Sequence, residues 1–452
     1  MAYSIIQKSK LEGALRLDAE YYQQKYLKAK NKLSKIENTT RLVDIANILT
    51  GPAYSSGEIG EDFDIPLARI GDVTNKTDIR DWVKLSKKEF ESFNNRKIKD
   101  LDILMTMTGD PPDVGKCNLI RIYDNSVIAF NQRVAKLSTK ISPYYLFAYL
   151  STKIVRLQSE RSALGIRQRN VGINDLKSIR VVLPSNENDR VISRLIIYYL
   201  NRLKKSKFLY SQAENLLLEK LGLDDFKIPE ELSHVVNFSD LESAKRIDAD
   251  YFQPKYEKLI SKIKNKNAKL LSKIIENVPA KFDPNLQPEK IFRYVELANI
   301  NSSIGIIDGF SKVLGKEAPG RARRLLKSGD VIVSSIKGSL GKVALVDKEQ
   351  EKSLASTGFF QFRSRKILPE VLLILAKSIV LQMQLERRTT GTILAAVPKN
   401  ALKDVLIPIL PKSTQQKIAN LVKKSHVARK KSKELLEKAK REVEEMIEKG
   451  GE

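Results

Sequence analysis

Two stretches of the chain place residues that are, Arg429 apart, apolar or small at alternating spacings of three and four, the period that lines side chains up along one stripe of a helix. The first, beginning at Arg190, runs Ile192, Ile196, Tyr199, Leu203, Ser206, Tyr210, Ala213, Leu217; the second runs Ile418, Val422, Ser425, Arg429, Ser432, Leu436, Ala439, Val443. Aligning them sets Lys204-Lys205-Ser206-Lys207 on Lys430-Lys431-Ser432-Lys433, so one stretch repeats the other. The pattern predicts two long helices packed on each other in a coiled coil. Ser206 with Ser432 and Ala213 with Ala439 put small residues at matching levels, where two helices can approach closely. The alternative is a pair of unrelated amphipathic helices lying on separate domains, which explains the period but not the matched small residues. Six seam positions, Ile196, Leu203, Leu217, Val422, Leu436 and Val443, are also candidates for contact with a partner protein.

The repetition extends well beyond the helices. Residues 11–36 (LEGALRLDAEYYQQKYLKAKNKLSKI) are answered by 241–263 (LESAKRIDADYFQPKYEKLISKI). Arg16, Asp18, Tyr21, Tyr22, Lys25 and Tyr26 correspond to Arg246, Asp248, Tyr251, Phe252, Lys255 and Tyr256, and each copy reads as a short extended lead followed by a helix. Between lead and long helix, each half mixes short strands with helices. In the first half, 65–70 and 103–107 read as strands, TGDPPDVGK as a turn, 144–162 as one amphipathic helix, 174–178 as a short helix and IRVVLP as a closing strand. The second half keeps that order with RYVELANI, GDVIVSSIKGSLGKVALV, a helix over 369–388 and TTGTILAAVPKNALKDVLIPILP. An acidic, Pro-containing stretch at 221–234 joins the halves and reads as the boundary. The expected division is a lead and helix at 1–39, a mixed α/β domain at 40–185, a helical spacer and linker at 186–267, a second α/β domain at 268–411 and a spacer helix at 412–452. The fold expected is thus α/β in the α+β sense, a pseudo-two-fold tandem repeat of two globular domains with two long helices packed on each other.

Charge narrows the partners. Lys and Arg number 80 against 54 Asp and Glu, a net charge of +26, which calls for a polyanion: nucleic acid first, an acidic membrane surface second. No apolar run, 371–376 included, is long enough to cross a bilayer, and the N-terminus lacks the pattern of a secretion signal, so a cytoplasmic location is expected. A single Cys117 rules out a disulfide framework, and with only His234 and His426 beside it a zinc site is not expected, nor is any cofactor.

Candidate chemistry is sparse. Asp110-Pro111-Pro112-Asp113 is similar to the Asp-Pro-Pro-aromatic loop of DNA amino-methyltransferases, but Asp113 cannot stack on a base, no Gly-rich cofactor turn lies upstream, and the repeat partner Ile336-Lys337-Gly338-Ser339 lacks both prolines. It reads as a turn between strands. Gly338-Ser339-Leu340-Gly341-Lys342 is similarly not a nucleotide-binding loop, because Val343-Ala344-Leu345-Val346 continues as strand where a helix is required. Its Lys337, Ser339 and Lys342 are candidates for DNA phosphate contact, as is Lys116 in the first half. Arg161, Arg167, Gln168, Arg169 and Asn170 form a cluster of the side chains that match base edges in the major groove. The equivalent stretch 389–397 is nearly uncharged, with Thr390 and Thr392 as its candidates, so the two halves are expected to read different sequences. No grouping of catalytic residues stands out.

Taken in order, these segments resemble the specificity subunits of type I restriction–modification systems. The resemblance rests on the repeated Arg-x-Asp-Ala-Glu/Asp-Tyr lead, the strands over 329–344, Ser356-Thr357-Gly358-Phe359-Phe360, Thr390-Gly391-Thr392, the stretch 402–408 and the two closing helices. It implies two target recognition domains, each reading half of a split double-stranded DNA site, and an antiparallel coiled coil holding them apart. It further implies a chain without catalysis of its own that recruits two methyltransferase subunits and, in some systems, restriction or translocase subunits. In the first half, DPPDVGK stands where the family has a Gly-Thr-x-Gly-Lys turn. Other readings are a non-catalytic DNA-binding scaffold of another phage-defence system, or a self-contained DNA methyltransferase or nuclease. Helices of ~35 residues would be ~50 Å long, enough to span one ~34 Å turn of DNA.

Overall fold

The structure is a computed structural model. It describes all residues except 1–4, 12–15, 76–78, 80–81, 94–95, 110–112, 125, 164–168, 228–232, 393–394 and 451–452. The chain divides into two compact units, Met1–Arg202 with Lys431–Glu452, and Leu203–Lys430. Both divisions fall inside the long helices, Asn186–Leu221 and Lys412–Glu448, so each unit contains a part of both.

In the first unit a 3-10 turn, Ala19–Tyr22, leads into the helix Gln24–Leu33. Thr39–Arg41 then pairs antiparallel with the closing strand Arg180–Val182. A four-stranded sheet follows the order Ala46–Thr50, Val134–Thr139, Ile103–Thr106, Cys117–Leu119, and a second joins Ile59–Gly60, Lys84–Leu85, Ile65–Ala68 and Ala129–Phe130. The second unit uses the same plan. Ala249–Phe252 leads into Pro254–Lys264, Ala268–Leu270 pairs with Leu406–Pro408, and Ile275–Asn277, Phe359–Ser364, Asp330–Ser334 and Val343–Leu345 are neighbours within a six-stranded sheet. Asp330–Ser334 and Val343–Leu345 pair antiparallel, so the Gly-Lys turn between them closes a hairpin and opens no helix.

The helices expected over 144–162 and 369–388 are each broken in two. Pro143–Leu150 stops before Lys153–Ser162, and Pro369–Lys377 before Ile379–Arg387. At the second break Ser378 takes an extended backbone (ψ 164°) and its hydroxyl accepts from the Val380 amide, which caps a new helix rather than continuing the old one.

Most of the predicted stripe is buried: Ile192, Ile196 and Tyr199, with Ala439 and Val443, in the first unit, and Ser206, Tyr210, Ala213 and Leu217, with Ile418, Val422 and Ser425, in the second. Within the second unit Ser206 meets Ser425, and Tyr210, Ala213, Leu217 and Leu221 share a core with Ile418 and Val422. Residues following Ser206 thus pack with residues preceding Ser425, which is the antiparallel sense. Ser206 faces Ser425 rather than its repeat equivalent, Ser432.

Candidate nucleic-acid interface

The second unit gathers three separate segments around one cleft of about 490 Å3. The lead contributes Arg246, Asp248, Asp250, Gln253 and Tyr256; the end of the helix Ile379–Arg387 and the loop after it contribute Glu386, Arg387 and Thr389–Thr392; the hairpin turn contributes Lys337. Backbone pairing holds loop and turn together: Lys337 N donates to Ala395 O (2.8 Å) and Val397 N to Ser335 O (2.7 Å), while Thr390 and Ala396 exchange both of their bonds at 2.9 Å. The lead is tied to both. Arg246 grips Asp248 through two bonds of 2.7 and 2.6 Å and also donates to Thr389 O (3.0 Å), and Lys337 Nζ lies 3.5 Å from Asp250. The paired guanidinium holds the Asp248 carboxyl below its usual pKa, and the carboxylate raises that of Arg246. Arg387 donates from Nε to Tyr251 O (3.1 Å) and from Nη1 to Glu257 (2.7 Å), and both Arg246 and Arg387 lie over the Tyr251 ring, 4.7 and 4.5 Å from its centre.

The first unit repeats this arrangement. Arg16 grips Asp18 at 2.9 and 2.6 Å, Arg161 donates from Nε to Tyr21 O at 3.1 Å, and both guanidiniums sit 4.1 Å from the Tyr21 ring centre. Beyond the helix Lys153–Ser162 the chain returns as Arg169–Asn170, paired with Thr108–Gly109 in a separate two-stranded sheet; Thr108 Oγ1 donates to Asn170 Oδ1 (2.6 Å).

Several candidates therefore occupy different settings from those their sequence suggests. Arg161 is half-buried on Tyr21 rather than projecting from the loop. Lys342 is half-buried and donates to Ile300 O (3.2 Å), and burial lowers its pKa; it ties the hairpin to a strand distant in sequence rather than facing outward from the turn. Ser339 spends its hydroxyl inside the turn, on Ile336 O (3.1 Å) and against Ser334 (3.0 Å). Lys116 is paired with Asp113 at 2.5 Å. Lys337, Thr390 and Thr392 are brought together at the cleft, and Arg169 and Asn170 lie side by side on one short strand, with Asn170 exposed. Arg167, Gln168 and the Asp110-Pro111-Pro112 stretch lie outside the described residues. Of the seam positions offered to a partner, Ile196, Leu217, Val422 and Val443 are wholly buried, so their apolar surface is consumed within the chain; Leu203 and Leu436 are half-buried. The pairing of Arg246, Tyr251 and Arg387 was not legible as a site. The repeated Arg-x-Asp-Ala motif was its only signal.

Among the described residues no cluster of His, Cys, Asp and Glu is arranged to hold a metal, and no helix is long and apolar enough to cross a membrane.

Residues 35–210 and 289–440, together well over half the chain, match the family model of the type I restriction modification DNA specificity domain. The chain is 28% identical over 163 residues to the specificity subunit of the EcoBI type I restriction enzyme of Escherichia coli, a match covering 35% of this chain and 33% of the relative. It is 27% identical over 158 residues to the HindI specificity subunit of Haemophilus influenzae, covering 34% and 33%. The chain thus spans about a third of the length of the curated relatives it matches. A crystal structure of the HsdS subunit from Thermoanaerobacter tengcongensis is 32% identical, with a TM-score of 0.31, covering 34% of this chain and 40% of that one. With the family model matched once in each half of a duplicated α/β chain, the protein belongs to the type I restriction–modification DNA specificity family.

Proposed function

We propose that this chain is the non-catalytic specificity subunit of a type I restriction–modification complex, reading a bipartite double-stranded DNA site with one half-site per unit. The observation that carries the reading is the convergence, within each unit, of a polar loop with a neighbouring turn: Thr389–Thr392 beside Lys337, and Arg169–Asn170 beside Thr108. Lys suits phosphates, whereas Arg and Asn present forked groups to base edges, so the two loops suit different sequences. The net charge of +26 supplies the sequence-independent attraction to DNA. The names of the two curated relatives, both specificity subunits of type I enzymes, support the same reading.

Helices of 36 and 37 residues extend ~54 Å at 1.5 Å per residue, more than one ~34 Å turn of duplex, and set the spacer between half-sites. Two methyltransferase subunits dock on the chain and supply the chemistry, with restriction or translocase subunits joining in a complete system. The complex works in the cytoplasm, where its DNA is.

The test is to produce the chain with the methyltransferase subunit of the same system and map modified bases by single-molecule sequencing. A bipartite motif with a fixed gap is the expected result. A formed complex that methylates without any motif would point to a sequence-indifferent DNA scaffold instead, and methyl transfer by the isolated chain would make it an enzyme.

A further inference from the structure

We infer that the repeated lead segment is a latch that positions the DNA-reading loop of its own unit, and that Arg161 and Arg387 are positioning residues rather than base readers; this rests on the DNA-recognition reading above.

Arg387 is the last residue of the helix Ile379–Arg387, and Arg161 the penultimate residue of Lys153–Ser162, so each stands where a loop leaves its stem. In both units the guanidinium there is fixed the same way, with Nε on the carbonyl of the lead tyrosine at 3.1 Å and its central carbon over that tyrosine's ring. The same ring also carries the lead arginine, Arg16 or Arg246, which is itself held by two bonds to the aspartate two residues on. In the second unit the segment reaches further: Arg246 holds the Thr389 carbonyl and Asp250 faces Lys337, so one lead touches both the loop and the turn that form the cleft. A guanidinium engaged by a carbonyl and a ring has lost the free fork that base readout requires. The Arg–Asp–Tyr–Arg core of the latch is the same in the two units while the loops differ, Arg169–Asn170 in one and Thr390-Gly391-Thr392 in the other. That is the division of labour expected when a constant device presents a variable reader, because a reader displaced by about 1 Å loses its bonds.

The test uses the full chain in complex with its methyltransferase subunits. Competition binding compares the intact site with sites altered in one half or the other, for wild type, Tyr251→Leu, Tyr251→Phe and Arg387→Lys. Arg387→Lys keeps the charge but loses the planar fork, and Tyr251→Phe keeps the ring. Tyr251→Leu and Arg387→Lys should lose ~10-fold or more discrimination at one half-site only, with Tyr251→Phe like wild type, and Tyr21→Leu should affect the other half-site. Equal loss at both half-sites overturns the latch, as does weaker overall affinity with discrimination intact, which is the mark of a phosphate contact. If the wild-type complex shows no bipartite motif, the recognition reading has failed by itself. Hydrogen exchange then decides the latch: amides of residues 389–392 and 395–397 should exchange faster in Tyr251→Leu and Arg387→Lys than in wild type, and unchanged protection would overturn it.

Discussion

Ser206 and Ser425 meet between the two long helices with their hydroxyl oxygens 3.1 Å apart, both wholly buried, and Ser425 Oγ also lies 2.7 Å from the Ser206 carbonyl. With the Ser425 proton given to that carbonyl, the Ser206 hydroxyl donates to Ser425. Ser425→Ala removes both bonds and should lower the unfolding free energy by about 1–2 kcal/mol. Ser425→Leu adds volume where two backbones are close and should cost about 1–3 kcal/mol more through overpacking. Urea unfolding followed by circular dichroism checks the order. A Leu variant as stable as wild type would mean that the helices are not closely packed there.

His426 gives the second unit an acid-sensitive point. The ring stacks on Tyr210 with centres 6.3 Å apart, and Nε2 lies 2.9 Å from the Ile304 carbonyl, an arrangement that suits the neutral imidazole carrying its proton on Nε2. Burial, the largest cause, holds its pKa below the ordinary value of about 6.5. The folded state therefore binds fewer protons than the unfolded state just below that value. The stability linked to this group is fully present above pH ~6.5 and is lost as pH falls toward the folded pKa. Unfolding free energy measured from pH 7.5 to 5 should decline, and His426→Gln should flatten the slope.

Lys337 and Lys342 belong to one short turn but should behave differently. Lys337 reaches the cleft and is half-exposed beside Asp250, whereas Lys342 is tucked against the Ile300 carbonyl. Lys337→Ala should weaken DNA binding about equally for all sequences and reduce the slope of log K against log salt by about 1. Lys342→Ala should leave that slope alone and lower the thermal midpoint instead. Salt titrations of binding with the two variants side by side distinguish these outcomes.

Arg324 is 1% exposed, and among the described residues its only side-chain hydrogen bond runs from Nη1 to the Val278 carbonyl (2.6 Å), with no partner for Nε. Burial alone pulls its pKa down to about 10. A buried charge without a carboxylate costs more than it returns, so Arg324→Met, similar in length and apolar, should be neutral or stabilising by up to about 4 kcal/mol. Chemical denaturation checks the sign, and a large destabilisation would show that the guanidinium is needed where it lies.

The duplicated plan, the long helices and the antiparallel hairpin at 330–345 were legible because hydrophobic period and repeat register are properties of the local chain. The settings of Arg161 and Lys342 were not. Each ends on a backbone carbonyl far away in sequence, at Tyr21 and Ile300, and sequence alone marks them only as charges near a loop. The facing of Ser206 and Ser425 was hidden for another reason. Aligning repeats pairs equivalent residues, but an antiparallel packing sets each residue against a different level of the other helix. The two broken helices were read as continuous because Ser151, Thr152 and Ser378 interrupt no hydrophobic period; what they do is bond to nearby backbone and allow a new cap.

The division of both long helices between the units has a consequence for inheritance. The second unit is one uninterrupted segment, Leu203–Lys430, whereas the first is assembled from the chain's beginning and its final residues, Lys431–Glu452. Recombination between related genes can thus replace the second unit as a single cassette whose crossovers fall inside helical sequence. Such a cassette carries Ser206 and Ser425 together, so the newcomer brings its own matched close approach. Exchanging the first unit uses the same two junctions, but the incoming sequence must then arrive as two separated segments. A cassette exchange should therefore preserve the helix contact inside the second unit, which a single crossover between residues 206 and 425 would instead assemble from two parents.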